Sequence, residues 1–112
     1  FKSKVDQTAD IFSFGVVAYE FLTGMKPFFG INLLELTEAI RNHKPKAPTR
    51  IIDNFPADLQ DVLAGMLRKE PKNRYQTMGE VVRDLDRYLT GSKVQPAKQS
   101  ALAAFLLKKD WS

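Results

Sequence analysis

The sequence contains no cysteine and a single histidine, His43. Disulfides and thiolate metal sites are thereby excluded. A lone imidazole cannot assemble a metal site, and neither HExxH nor any paired His/Cys spacing is present. The lack of cysteine fits a reducing compartment, and a cytoplasmic location is the expectation. No apolar run reaches the roughly 18 residues that a membrane span requires. No basic start followed by an apolar run and a cleavage site marks a secretory leader. A basic folded body is missing too: of the net charge of +4, +3 falls from Ser92 onward. That placement describes a solvated basic tail, and no nucleic-acid partner is expected.

What is present is an ordinary globular composition, 44% apolar and 27% charged, in 112 residues, enough for one domain with a real core. The segment "ADIFSFGVVAYEFLTGMKPF", Ala9 to Phe28, is apolar on nearly every side. Its aromatic and β-branched residues also suit a strand. Its length and its cap-to-glycine punctuation favour a helix from about Thr8 to Thr23, stopped at Gly24. A helix that is apolar all round is expected to lie buried at the centre of the fold.

Further helices follow. Asn32 and Glu35 make a capping-box-like start for "NLLELTEAIRN", with Leu33, Leu36 and Ile40 on one face. Residues 43–56 hold three prolines without periodicity and read as a loop packed by Ile51, Ile52 and Phe55. "PADLQDVLAGMLRKEP" carries Leu59, Val62, Leu63, Met66 and Leu67 at helical spacing, with Pro71 as its stop. Thr77 and Glu80 open a helix striped by Met78, Val81, Val82, Leu85 and Leu89 and ended by Gly91. Beyond Gly91 a polar linker leads to an amphipathic helix with Leu102, Phe105, Leu106 and Trp111 on its apolar side. The fold class is all-α, with a body over 1–91 and a basic linker and helix over 92–112.

The spelling of the first helix resembles the start of the central helix of the protein kinase C-terminal lobe. The matching positions are Asp10, Ile11, Ser13 and Gly15, then Glu20, Leu22, Thr23, Gly24, Pro27 and Phe28. A second match is "EPKNRYQT", with Glu70 where that family has aspartate, then Pro71, Arg74 and Thr77. The resemblance covers roughly Val5 to Leu89, and its wording is similar to bacterial serine/threonine kinases. It implies a parent enzyme that moves phosphate from ATP, with magnesium, to protein hydroxyls. It also implies that the catalytic loop and the N-terminal lobe lie outside this chain. The sequence holds no Gly-x-Gly, no Val-Ala-x-Lys, no His-Arg-Asp, no Asp-Phe-Gly and no Ala-Pro-Glu. Without charge neutralisation or a placed base, the chain alone is expected neither to bind ATP–magnesium nor to transfer phosphate, so no catalytic, cofactor-binding or metal residue is assigned to it.

The resemblance assigns support roles. Asp10 matches the aspartate that accepts hydrogen bonds from the catalytic-loop backbone; by itself it is an acid in a first helical turn, favoured by the macrodipole. Arg74 matches the arginine that pairs with the glutamate of Ala-Pro-Glu. With that partner absent, Arg74 turns to solvent or to Glu20, Asp61 or Glu70. Gly15 inside a helix implies close approach of a neighbour. Phe28, Phe29, Leu33 and Leu34 fall where kinases dock substrates or regulators; packing into the lobe is the simpler reading for Phe28. The expected partner is the missing N-terminal part of the same kinase. Left alone, the chain is expected to be marginal, to self-associate, or to fold its last helix back through Leu102, Phe105 and Leu106. A competing reading is a non-catalytic, helical interaction module derived from such a lobe.

Overall fold

A computed structural model describes residues 3–96 and 110–112. Those residues form four α-helices and no strand: α1 (Lys4–Thr23), α2 (Leu33–Asn42), α3 (Ala57–Leu67) and α4 (Met78–Thr90). Single 3₁₀ turns at Pro48–Arg50 and Pro71–Asn73 join them. α1 packs chiefly on α3, and α3 on α4.

The helix ends follow capping chemistry. Ser3 starts α1 by accepting from the Asp6 N–H at 3.2 Å. The helix therefore begins earlier than the expected start at Thr8, whose hydroxyl instead donates to the Val5 carbonyl at 3.0 Å. Gly24 closes α1 and Gly91 closes α4, both in the left-handed conformation, where glycine meets no Cβ penalty. The Thr77–Glu80 capping box of α4 is formed in both directions. At α2 the Asn32 side chain accepts from Glu35, while Glu35 reaches back to the Ile31 N–H. α3 ends at Leu67, ahead of Pro71, which opens the following 3₁₀ turn instead.

The core is built from Ile11 and Tyr19 of α1, Val62, Leu63, Met66 and Leu67 of α3, and Val81 of α4, with Phe28, Phe55, Tyr75 and Val94 from the connections. Two expectations are corrected here. α1 is not covered all round: its buried stripe is Thr8, Ile11, Gly15, Tyr19 and Thr23, while Val17 is 65% exposed and Phe21 86% exposed. On α4 the buried residues are Val81 and Asp84, whereas Met78, Val82 and Leu89 face solvent. The apolar residues of α4 exceed what α3 can cover. The last-helix residues Leu102, Phe105 and Leu106 lie outside the described residues; Trp111, expected on the apolar side of that helix, stands with Asp110 and Ser112 in chain without regular secondary structure.

Candidate functional site

Gly15 stands where α1 crosses α3. A methyl group there would sit 2.9 Å from the Met66 Cβ and 3.1 Å from a Leu67 methyl. The absent side chain is what lets the two helices approach, so the expected close neighbour is α3.

Asp10 lies in the second turn of α1, because the helix starts at Lys4. The first-turn macrodipole account of this acid therefore fails. Asp10 is exposed, as are Phe14, Val17 and Phe21 at following helical spacings. Together they form one face of α1 with a carboxylate at its N-terminal end and a strip of large apolar side chains beyond it.

Arg74 is half-buried, and it neither turns to solvent nor takes Glu20 or Asp61 as its partner. Its Nε donates to the Arg68 carbonyl at 2.6 Å, Nη2 to the Lys69 carbonyl at 3.1 Å, and Nη1 to the Thr8 carbonyl at 3.2 Å. The fork thus ties the C-terminal end of α3 to the start of α1. The guanidinium also lies 4.6 Å from the Phe12 ring centroid, and Phe12 stacks on Phe28 at 5.9 Å. Burial lowers the Arg74 pKa and the Glu70 charge raises it, burial prevailing; of the three acids expected as partners, Glu70 acts on it through its charge.

Phe28 is buried, whereas Phe29, Leu33 and Leu34 are all more than half exposed, as is Ile31 between them. These residues form a second apolar surface at the loop preceding α2 and its first turn. Lys69 holds the far end of α2 by donating to the Ile40 carbonyl at 2.7 Å and to the His43 carbonyl, with its ammonium 5.2 Å from the Phe28 ring centroid. Burial, then the Lys44 charge, depress its pKa.

Sequence reasoning missed a buried polar cluster. Asp84, fully buried on α4, accepts from the Tyr75 hydroxyl at 2.6 Å, from Arg87 at 2.7 Å and from the Gln95 N–H at 2.9 Å. Burial raises the Tyr75 pKa, as do its hydrogen bond to Asp84 and the Asp84 charge. The signal lay in the pattern: a carboxylate at Asp84 sits inside the Val81–Leu85 apolar stripe, where a solvated acid would interrupt it. Gly65 leaves room for this cluster, since a methyl there would collide with the Tyr75 ring and Pro96.

Among the described residues, no three His, Cys, Asp or Glu side chains converge on a point that could hold a metal ion. No described helix is long and apolar enough to cross a membrane.

Comparison with known proteins gives the family. Residues 1–85 match the family model described as protein tyrosine and serine/threonine kinase. A probable serine/threonine-protein kinase of Clostridium perfringens is 36% identical over 98 residues, which are 86% of this chain and 14% of that protein. The serine/threonine-protein kinase PknB of Mycobacterium leprae is 35% identical over 94 residues, 84% of this chain and 15% of that protein. A hybrid signal transduction histidine kinase of Dictyostelium discoideum is 37% identical over 87 residues, 75% of this chain and 2% of that protein. The chain thus spans about one seventh of the first two relatives.

Proposed function

Because the chain belongs to the protein tyrosine and serine/threonine kinase family, we propose that the whole protein is an ATP- and magnesium-dependent serine/threonine kinase of the cytoplasm. These helices are the support beneath its active site. The observation that carries the reading is the exposed face of α1. It presents a carboxylate, Asp10, followed by Phe14, Val17 and Phe21. An apolar strip of this kind on a central helix supports an interface reading, and by the motif it matches Asp10 would accept from the backbone of a catalytic loop. Arg74 and Gly15 fix the pose of α1 on α3 and so fix the direction of that face. Chemistry requiring a metal, a lysine and a base belongs to the part that docks there. The apolar surface of Phe29, Leu33 and Leu34, with Phe28 as its buried anchor, is the place for a protein substrate or regulator.

The test joins the chain to a kinase N-terminal half bearing the catalytic loop and measures phosphate transfer to a generic basic protein. The joined protein should be active with magnesium and ATP, and the chain alone inactive. Val17→Asp in the joined protein should abolish transfer while the isolated chain keeps its helicity. Phosphate transfer by the chain alone, or full activity with Val17→Asp, would refute the scaffold reading.

A further inference from the structure

A groove runs between Lys44–Pro45 and the C-terminal end of α3. Its floor is apolar, from Ala64, Leu67 and Pro45. Lys44, Arg68 and Lys69 border it together with Glu70, and at Lys44 it meets a second cleft lined by His43, Lys46, Arg50 and Ser112. The Tyr19 hydroxyl fixes the loop edge by donating to the Lys46 carbonyl at 2.5 Å. The Arg68 side chain is about nine-tenths buried, with 9% of its area accessible, and its Nε has no hydrogen-bond partner. A guanidinium buried at the edge of a groove favours an acid beside it.

Asp110 and Trp111 lie in that groove, and Ser112 in the adjoining cleft. The Asp110 carboxylate comes within 3.6 Å of Arg68 Nε. The Trp111 ring stacks on Tyr19, centroids 6.2 Å apart. The Ser112 N–H donates to the Pro45 carbonyl at 2.8 Å, and Arg50 donates to the Ser112 carbonyl at 3.3 Å. Each of the three residues makes a contact suited to its own chemistry: acid to arginine, indole to phenol, and backbone to backbone. A cavity of about 200 Å³ remains beside Trp111.

We propose that this groove is a docking site for a short acid–tryptophan segment and that the chain's own Asp110–Ser112 is its resident occupant, closing it in cis. Any partner segment of the same chemistry must displace this strap. The site is separate from the exposed face of α1. The strap meets α1 at Tyr19, on the buried stripe, and leaves Val17 and Phe21 uncovered.

Trp111 is the only tryptophan, so its fluorescence reads the strap directly. In the intact chain, emission should be shifted to the blue of free indole in water and protected from acrylamide, independently of protein concentration. Arg68→Gln should move the emission toward that of free indole and raise quenching several-fold. A labelled peptide Lys-Lys-Asp-Trp-Ser should bind the Trp111→Ala chain at least tenfold more tightly than the intact chain, and a Trp-to-Ala peptide should not bind. Water-like emission in the intact chain overturns the proposal whether or not a variant folds. So does protection that grows with concentration, which would assign the groove to a second copy. Equal peptide binding by a helical Trp111→Ala chain and the intact chain overturns it as well.

Discussion

The Tyr75 hydroxyl donates to the Asp84 carboxylate at 2.6 Å inside the core, where Asp84 has no accessible surface. The pair links the turn after α3 to the middle of α4, and through the Gln95 N–H it also holds the chain beyond Gly91. Removing the hydroxyl leaves a buried carboxylate short of one donor. Tyr75→Phe should cost about 1.5–3 kcal/mol, measured as a shift of the urea midpoint at unchanged slope. A midpoint within error of the parent would mean that the pair is solvated.

Gly15→Ala sets two effects against each other. Alanine in a helix interior gains about 0.8–1 kcal/mol over glycine. The added methyl stands 2.9 Å from the Met66 Cβ, and overpacking of that sort costs about 1–3 kcal/mol. Both contact atoms lie on helices, so neither yields easily. The net outcome should be destabilisation by about 1 kcal/mol, seen in thermal or urea unfolding. A stabilised variant would show that α1 and α3 can move apart.

Arg74 should not be replaceable by lysine. Its three donors meet three carbonyls on two segments, a pattern set by the planar fork. Arg74→Lys and Arg74→Ala should both lose about 2 kcal/mol or more through the carbonyls left unpaired. Hydrogen exchange should rise in the first turns of α1. Full rescue by lysine would reduce the residue to a simple charge.

Acid should tighten the strap. Burial raises the Asp110 pKa against the opposing charges of Arg68 and Lys44, and burial with the neighbouring Asp58 and Asp110 charges raises that of Asp61 against Arg68. A carboxyl whose folded pKa is raised contributes stability that is complete below its ordinary value, about 3.9, and is lost as pH rises through the raised one. Protection of Trp111 from quenching should therefore increase as pH falls from about 7 toward the carboxylate range. Asp110→Asn should flatten that response; an unchanged response would place its origin elsewhere.

The helices were legible because their signals are local. Thr77, Glu80 and Gly91 bracket α4 in the sequence, and Leu63 and Met66 keep the helical period of α3. Which side of α1 is buried was not legible. Phe14, Val17, Phe21, Ile11 and Tyr19 are equally apolar, and only the position of α3 separates them. The resemblance pointed to Asp10, Gly15 and Arg74 by motif, but the fate of Arg74 depended on carbonyls at Thr8, Arg68 and Lys69, which carry no side-chain signature. Asp84 and Trp111 were hidden for the same reason, since their partners lie far away along the chain or are backbone atoms.

The Arg74 bond to Thr8 bridges 66 residues, and the Arg50 bond to Ser112 bridges 62. The Tyr75–Asp84 bond bridges only 9. Closing a long loop costs conformational entropy before its contacts can repay it. The α3–turn–α4 hairpin can therefore assemble as an early nucleus, while α1 must wait for Arg74 and the C-terminal segment must wait for Arg50. α1 precedes α3 in the chain and is fastened only once Arg74 is in place, so its apolar faces spend that interval open to chaperones.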